Sequence, residues 1–191
     1  MTLEEFKHRY NLMILPDDTG PVVSHRLRQA AVLVAFIEQK QELHLILTRR
    51  ASHLRAHPGQ ISFPGGKVEK SDKNFEATAL REAHEEIALA VTNVEVLGQY
   101  PMFNTFTGFA IAPIIGVVKQ GFNPILDPGE VEELFTVPLS FLLNPANRVV
   151  KHFMRRGIQY PVYFIQYQEY FIWGATAAMI DRICRQISYN G

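Results

Sequence analysis

The apolar positions of the chain fall into short blocks with two different periods. Ala30 to Ile37 is a nearly continuous apolar run, rich in branched residues and bounded by polar turns, which predicts a buried strand. A charged turn over Glu38 to Glu42 sends the chain back through a second strand, His44 to Thr48, ending at Arg49-Arg50. Val94 to Pro101 and Phe109 to Lys119 read as further strands, the latter bent at Pro113 or starting after it. A strand at Leu134 to Leu139 leads into a helical turn over Ser140 to Asn144. Val149 to Met154 and Tyr160 to Tyr167 then form a closing hairpin that turns at Arg155-Arg156-Gly157.

Helical spacing takes over in three places. Leu3, Phe6 and Tyr10, with Met13, line one side of a helix over Thr2 to Leu12. Leu80, Ala83 and Ile87 share a face within residues 73–89, which no proline or glycine interrupts. Trp173, Ala177, Ile180 and Cys184 stripe a last helix over Phe171 to Ile187, with Trp173 and Cys184 expected in the core. Strands interleaved with helices predict a single α/β domain. The first helix, closed by Pro16-Asp17-Asp18-Thr19-Gly20-Pro21, is set apart as an arm over 1–27, leaving the main domain at 28–191. The arm packs on that domain or meets a second subunit, so a homodimer is one expectation.

The middle helix carries unusual chemistry. Ser71 or Asp72 is placed to cap its start. Glu82, Glu85 and Glu86, at i, i+3 and i+4, lie roughly opposite the apolar stripe. Like charges this close repel, at roughly a few tenths of a kcal/mol per pair, so a cation belongs among them. Arg81 is an i, i+4 partner for Glu85, but one guanidinium does not neutralise three carboxylates. Hard oxygen ligands at this density suit Mg²⁺ or Mn²⁺ beside substrate phosphates, and a solvated acidic face is the plainer alternative. The Gly65-Gly66 pair, one strand-to-helix step upstream, favours the metal. Glu130, Glu132 and Glu133 form the other acidic cluster. Glu130, at the loop edge, is the candidate to fold over the metal as a further ligand or base, with a solvated loop as the equal alternative.

Ahead of the glycine pair, Ser52 to Pro64 is a donor-rich loop leading into a short strand. Arg49, Arg50 and Arg55 suit phosphate, since a guanidinium forms charge-assisted paired bonds to its oxygens, although each is equally readable as a surface arginine. His57 and Gln60 either join them or hydrogen-bond within the loop. Asn104 to Gly108 is a polar loop with one aromatic residue, readable as a pocket wall or as a plain hairpin.

Arg81-Glu82-Ala83-His84-Glu85-Glu86-Ile87, preceded by Gly65-Gly66, resembles the signature helix of the Nudix hydrolases, which cleave a nucleoside diphosphate linked to another group. Two positions depart from that signature. Eight residues before Arg81 stands Lys73 rather than an acid, with Asp72 or Glu76 as the substitute, and Ala88 stands where a glycine usually follows the helix. The ordered string Leu47-Thr48-Arg49-Arg50, Leu54-Arg55, His57, Gly59-Gln60 and Phe63-Pro64-Gly65-Gly66 resembles the segment that precedes the signature in the coenzyme A diphosphatase branch of that family.

The resemblance implies an α/β/α sandwich with a mixed sheet, and hydrolysis of coenzyme A or its acyl derivatives to adenosine 3′,5′-bisphosphate and 4′-phosphopantetheine or its acyl form. It implies that Glu82 and Glu86 hold a divalent ion, with a carbonyl of Gly65 or Gly66. Glu85 would serve a second ion or orient water, and Arg81 would fix the carboxylates. Two alternatives stand beside it: another dinucleotide or nucleoside diphosphate derivative such as NADH or ADP-ribose, and a nucleotide-sensing domain without catalysis. Composition narrows the partners. Lys plus Arg and Asp plus Glu number 19 each, so no net field favours nucleic acid or an anionic membrane. The chain has one cysteine, no secretory signal and no apolar run of transmembrane length, and the expected location is the cytoplasm.

Overall fold

The computed structural model describes residues 1–12, 27–155 and 157–189. The expected break at Pro16 to Pro21, part of the last turn at Arg156, and the end of the chain at Asn190 and Gly191 lie outside these residues. The elements in order are α1 (Leu3–Asn11), β1 (Arg28–Gln39), β2 (Glu42–Arg50), β3 (Ile61–Ser62), β4 (Gly65–Lys67) and α2 (Phe75–Ile87). They continue with β5 (Val94–Gln99), β6 (Phe103–Asn104), β7 (Phe109–Val118), β8 (Val131–Pro138) and α3 (Leu139–Leu143). β9 (Val149–Arg155), β10 (Ile158–Tyr167), β11 (Tyr170–Trp173) and α4 (Gly174–Tyr189) complete the chain.

β1 is the hub. It pairs antiparallel with β2 through a two-residue turn, where Lys40 and Gln41 both take positive φ, the geometry whose twist matches the flanking strands. It runs parallel to β7 along ten residues and also receives the short β4. β8 pairs with β2, and β5 and β6 pair with β7, giving an eight-stranded mixed sheet.

Because successive side chains point to opposite faces, β1 feeds two cores. Ala31, Leu33 and Ala35 pack with Ala79, Leu80, Ala83 and Ile87 of α2. Val34 and Phe36 pack on the other face with α1, α3, α4 and the inner residues of a separate β11-β10-β9 sheet. This is the α/β/α sandwich. The arm is part of the second core: Phe6 is fully buried with its ring 4.6 Å from that of Phe36, and Lys7 pairs with Glu95.

Several boundaries differ from the sequence reading. α2 begins at Phe75 with Asn74 as its cap, accepting from Ala77 N at 2.8 Å, because the Asp72 carboxylate is engaged elsewhere. Pro113 sits inside a continuous β7. Its carbonyl accepts from Tyr100 N, so its missing N–H faces the end of β5, and the ladder to β1 loses nothing. Residues 104–108 close the β6–β7 hairpin, with Phe109 N and Gly108 N bonded back to Thr105. β8 starts three residues early, taking in Glu132 and Glu133.

The last helix starts at Gly174, since Tyr170 to Trp173 pair with β10 as β11. Trp173 is therefore not core: it points outward from a strand and is 45% exposed. Ala177, Ile180 and Cys184 are buried as the stripe required.

Candidate active site

Gly65 and Gly66 let β4 run where a Cβ at either position would collide. A Cβ at Gly65 would meet the backbone of Ala31 and Val32, and one at Gly66 would overlap the Glu82 carboxylate. The glycines thus let β4 lie against β1 while α2 crosses directly above it. From α2, Glu82 and Glu86 project one turn apart toward this strand, and Gly65 N donates to Glu86 Oε2 at 3.3 Å. The loop between β7 and β8 is tied back to the last turn of α2 by Asp127 N bonding to Glu86 O and Ile125 N bonding to Ile87 O. It delivers Glu130 to the same spot. Among the described residues, one ligand atom from each of Glu82, Glu86 and Glu130 lies within 4.8 Å of the others.

How Glu130 arrives there follows from the sheet. Arg49 is opposite Glu133 and Arg50 is opposite Val131, so Glu132 is an extra residue that breaks the ladder between β2 and β8. Ala51 N donates to Glu130 O at 2.9 Å and holds the chain immediately before the break. On the far side, the Arg49 guanidinium is paired with Glu133, and Tyr170 Oη donates to Glu133 Oε1 at 2.6 Å. Tyr170 itself stacks on Phe135 with ring centroids 3.6 Å apart, and the bond to Glu133 pushes its pKa up to about 12.

The electrostatics call for a cation. Glu86 is only 3% exposed, and burial, followed by the charges of Glu82 and Glu130, pushes its pKa up to about 8. The Arg50 guanidinium and the bond from Gly65 offset part of this. Glu82 is raised too, first by burial, with Arg81 pulling the other way. Three carboxylates held this close, one of them buried, match an all-oxygen site for a hard divalent ion.

Arg81 sits beside the trio. It bonds Asp72 through Nε and Nη2 at 3.0 and 3.1 Å, meets Glu82 at 3.0 Å and Glu85 at 2.8 Å, and donates to Lys67 O. The Arg81 bonds hold Asp72 well below the usual carboxylate range. Of the two substitutes the sequence offered for the acid that position 73 lacks, Asp72 meets Arg81, while Glu76 is exposed. The other reading of Asp72, as the helix cap, is overturned, since Asn74 caps α2. The Glu133–Tyr170 bond joins residues 37 apart in sequence and had no signal.

Of the other expected site residues, Glu85 lies outside the trio, half-exposed on Arg81. Arg55 and His57 are exposed in the loop between β2 and β3, and Gln60 is half-buried there. That loop is closed by Gly59 N bonding to Arg50 O and Arg50 N bonding to Gln60 O, and His57 takes a positive φ of 55°. Arg50 acts on Glu86, whereas Arg49 is committed to Glu133.

Comparison with known proteins agrees with this geometry. The NUDIX domain family model matches residues 27–156. A protein of Enterobacter sp. (strain 638) named Nudix hydrolase NudL is 39% identical over 187 residues, covering 98% of this chain and 95% of its own. Its namesake in Photorhabdus laumondii is 40% identical over 187 residues, covering 98% of each chain. Neither name states a substrate. A C. elegans Ap4A hydrolase has the same fold, with a TM-score of 0.56 at 13% identity over 86% of this chain and 97% of its own. The family model spans β1 to β9 and the helix that carries Glu82 and Glu86. The chain belongs to the Nudix hydrolases, as a pyrophosphohydrolase.

Proposed function

We propose that the chain hydrolyses the diphosphate linkage of coenzyme A and its acyl derivatives in the cytoplasm, using Mg²⁺ or Mn²⁺. The observation that carries the reaction is the convergence of Glu82, Glu86 and Glu130 beside Gly65-Gly66. In this reading the three carboxylates hold the ion, with a carbonyl of Gly65 or Gly66 available as a neutral ligand. A bound divalent ion would neutralise phosphate oxygens and make water a nucleophile near neutral pH.

The chain's own residues supply the rest. Arg81, pinned by Asp72, fixes the rotamer of Glu82 and keeps Glu85 at the rim, where it serves a second ion or orients water. Glu130 is the exposed member of the trio and is the alternative proton acceptor. Burial of Glu86 keeps bulk water from competing for the ion on that side.

The substrate class rests on the segment from Leu47 to Gly66. Arg50 and Arg55 sit on the strand end and loop entering the glycine pair, and neither is held in the clamp that fixes Arg49. They are the cations proposed to meet the phosphates, and the 3′-phosphate in particular, with His57 and Gln60 on the same loop. The retained glutamates argue against a sensor without catalysis.

The test is a panel of coenzyme A, 3′-dephospho-coenzyme A, NADH, ADP-ribose and diadenosine polyphosphates, each with divalent ion and with chelator. Coenzyme A is expected to be cleaved fastest, giving adenosine 3′,5′-bisphosphate and 4′-phosphopantetheine. A preference for NADH, ADP-ribose or a diadenosine polyphosphate would overturn the substrate while leaving the metal site intact.

A further inference from the structure

The sheet of β9, β10 and β11 is apolar on both faces. Its inner face, with Ile165, Tyr170 and Ile172, closes the second core. Directly opposed residues share a face. The register Val149↔Phe164↔Trp173 and Gln166↔Phe171 therefore puts Val149, Phe164, Phe171 and Trp173 together on the outer one, with Phe153 opposite Tyr160. The rings form a continuous ladder: Phe153 lies 6.3 Å from Phe164, and Phe164 lies 5.7 Å from Phe171. Phe106 extends it from the β6–β7 hairpin, edge-on to Tyr160 at 4.4 Å. An antiparallel sheet that faces water ordinarily alternates apolar and polar residues; one that is apolar on both faces is covered on both.

We propose that a second copy of this chain covers the outer face, in an isologous dimer. The area fits. An aromatic side chain buries roughly 150–250 Å², so the half-exposed Phe106, Phe153, Phe171 and Trp173 together offer on the order of 400 Å². Val149, Val162, Phe164, Tyr160 and the polar rim bring the patch toward the roughly 800 Å² per partner of a standard interface. That exceeds the few hundred Å² a monomer ordinarily leaves bare.

The place of the face and the overall charge of the chain are compatible with this occupant. Small-molecule sites are concave, and the cavity of about 410 Å³ lies away from this face, at the start of α2 by Gln29 and Gln99. Lys151 lies on this face, and Arg155 holds a register position on it. With 19 basic and 19 acidic residues, two copies meet without net repulsion.

Trp173 is the chain's single tryptophan, so its fluorescence reports this face directly. The experiment is sedimentation velocity of the full chain over a concentration series, with acrylamide quenching of Trp173 in parallel. The expected species has twice the 21.8 kDa chain mass, with Trp173 protected from quencher as it forms. Phe171→Ser and Val149→Ser should each weaken self-association at least about tenfold while hydrolytic activity and circular dichroism stay unchanged. Val91→Ser, at an exposed position outside this sheet, should change nothing.

A monomer with quenchable Trp173 at every concentration would overturn the proposal. So would a dimer that survives both face variants, because it would use another surface. The same holds if Trp173 becomes protected only when vesicles or long acyl chains are added.

Discussion

Glu86→Gln separates the functional cost of the carboxylate trio from its function. In the metal-free protein the Glu86 carboxyl is held near 8 against about 4.5 when unfolded. The folded state therefore binds its proton more tightly, and stability is lost as pH rises from the unfolded value through the folded one. At 1.36 kcal/mol per pH unit, the loss between pH 5 and pH 8 is about 3–4 kcal/mol. For a chain of this size that is roughly 6–15 °C in Tm.

Glutamine keeps the shape and can still accept from Gly65 N, but it carries no charge to bury. Urea denaturation in chelator should show the wild type weakening across pH 5–8 and Glu86→Gln weakening by less than half as much. Mn²⁺ at 100 times its Kd should restore about 2.7 kcal/mol to the wild type at pH 8 and far less to the variant. Parallel pH profiles for the two proteins in chelator would refute the buried-charge argument.

Three further outcomes are expected. Ala88 caps α2 in the left-handed region at φ 56°, so Ala88→Gly should stabilise the protein by about 1 kcal/mol in denaturant titrations, without changing kcat. Gly66→Ala pushes a methyl against the Glu82 carboxylate, whose flexible end can yield. Stability should fall by only about 1 kcal/mol, the cost of an off-rotamer side chain, while calorimetry shows metal affinity falling at least about tenfold. If Arg50 or Arg55 reads the 3′-phosphate, its alanine variant should lose roughly ten- to 150-fold in kcat/KM for coenzyme A and little for 3′-dephospho-coenzyme A.

The hub of the fold was legible because β1 and β2 are compact apolar blocks and α2 carries an apolar stripe at helical spacing. The uninterrupted run at Ala30 to Ile37 has an apolar residue for each of two cores, and it is buried on both faces. What failed to show were features decided by distant partners. Tyr170 to Trp173 has strand and helix character alike, and pairing with β10 settles it. Pro113 looked disruptive because the sequence does not say which edge of β7 its nitrogen faces.

At the site, the spacing of Glu82 and Glu86 announced a shared helix face, and Glu130 was singled out for its loop-edge position. That Glu86 would be buried rather than solvated depends on β4 and on the loop at Ile125 to Asp127, which helix periodicity does not report. The Arg49–Glu133–Tyr170 clamp joins three separate strands, and no local pattern predicts it.

The central claim is that Glu82, Glu86 and Glu130 together hold one functional divalent ion. The most direct measurement is a Mn²⁺ titration followed by electron paramagnetic resonance, on the wild type and on Glu82→Gln, Glu86→Gln and Glu130→Gln, without substrate. Removing one charged ligand from a shared ion should weaken binding at least about tenfold in each variant, with the folded structure retained. Wild-type affinity in Glu82→Gln or Glu86→Gln would show the ion is not held there. Wild-type affinity in Glu130→Gln alone would leave a two-carboxylate site and contradict the trio.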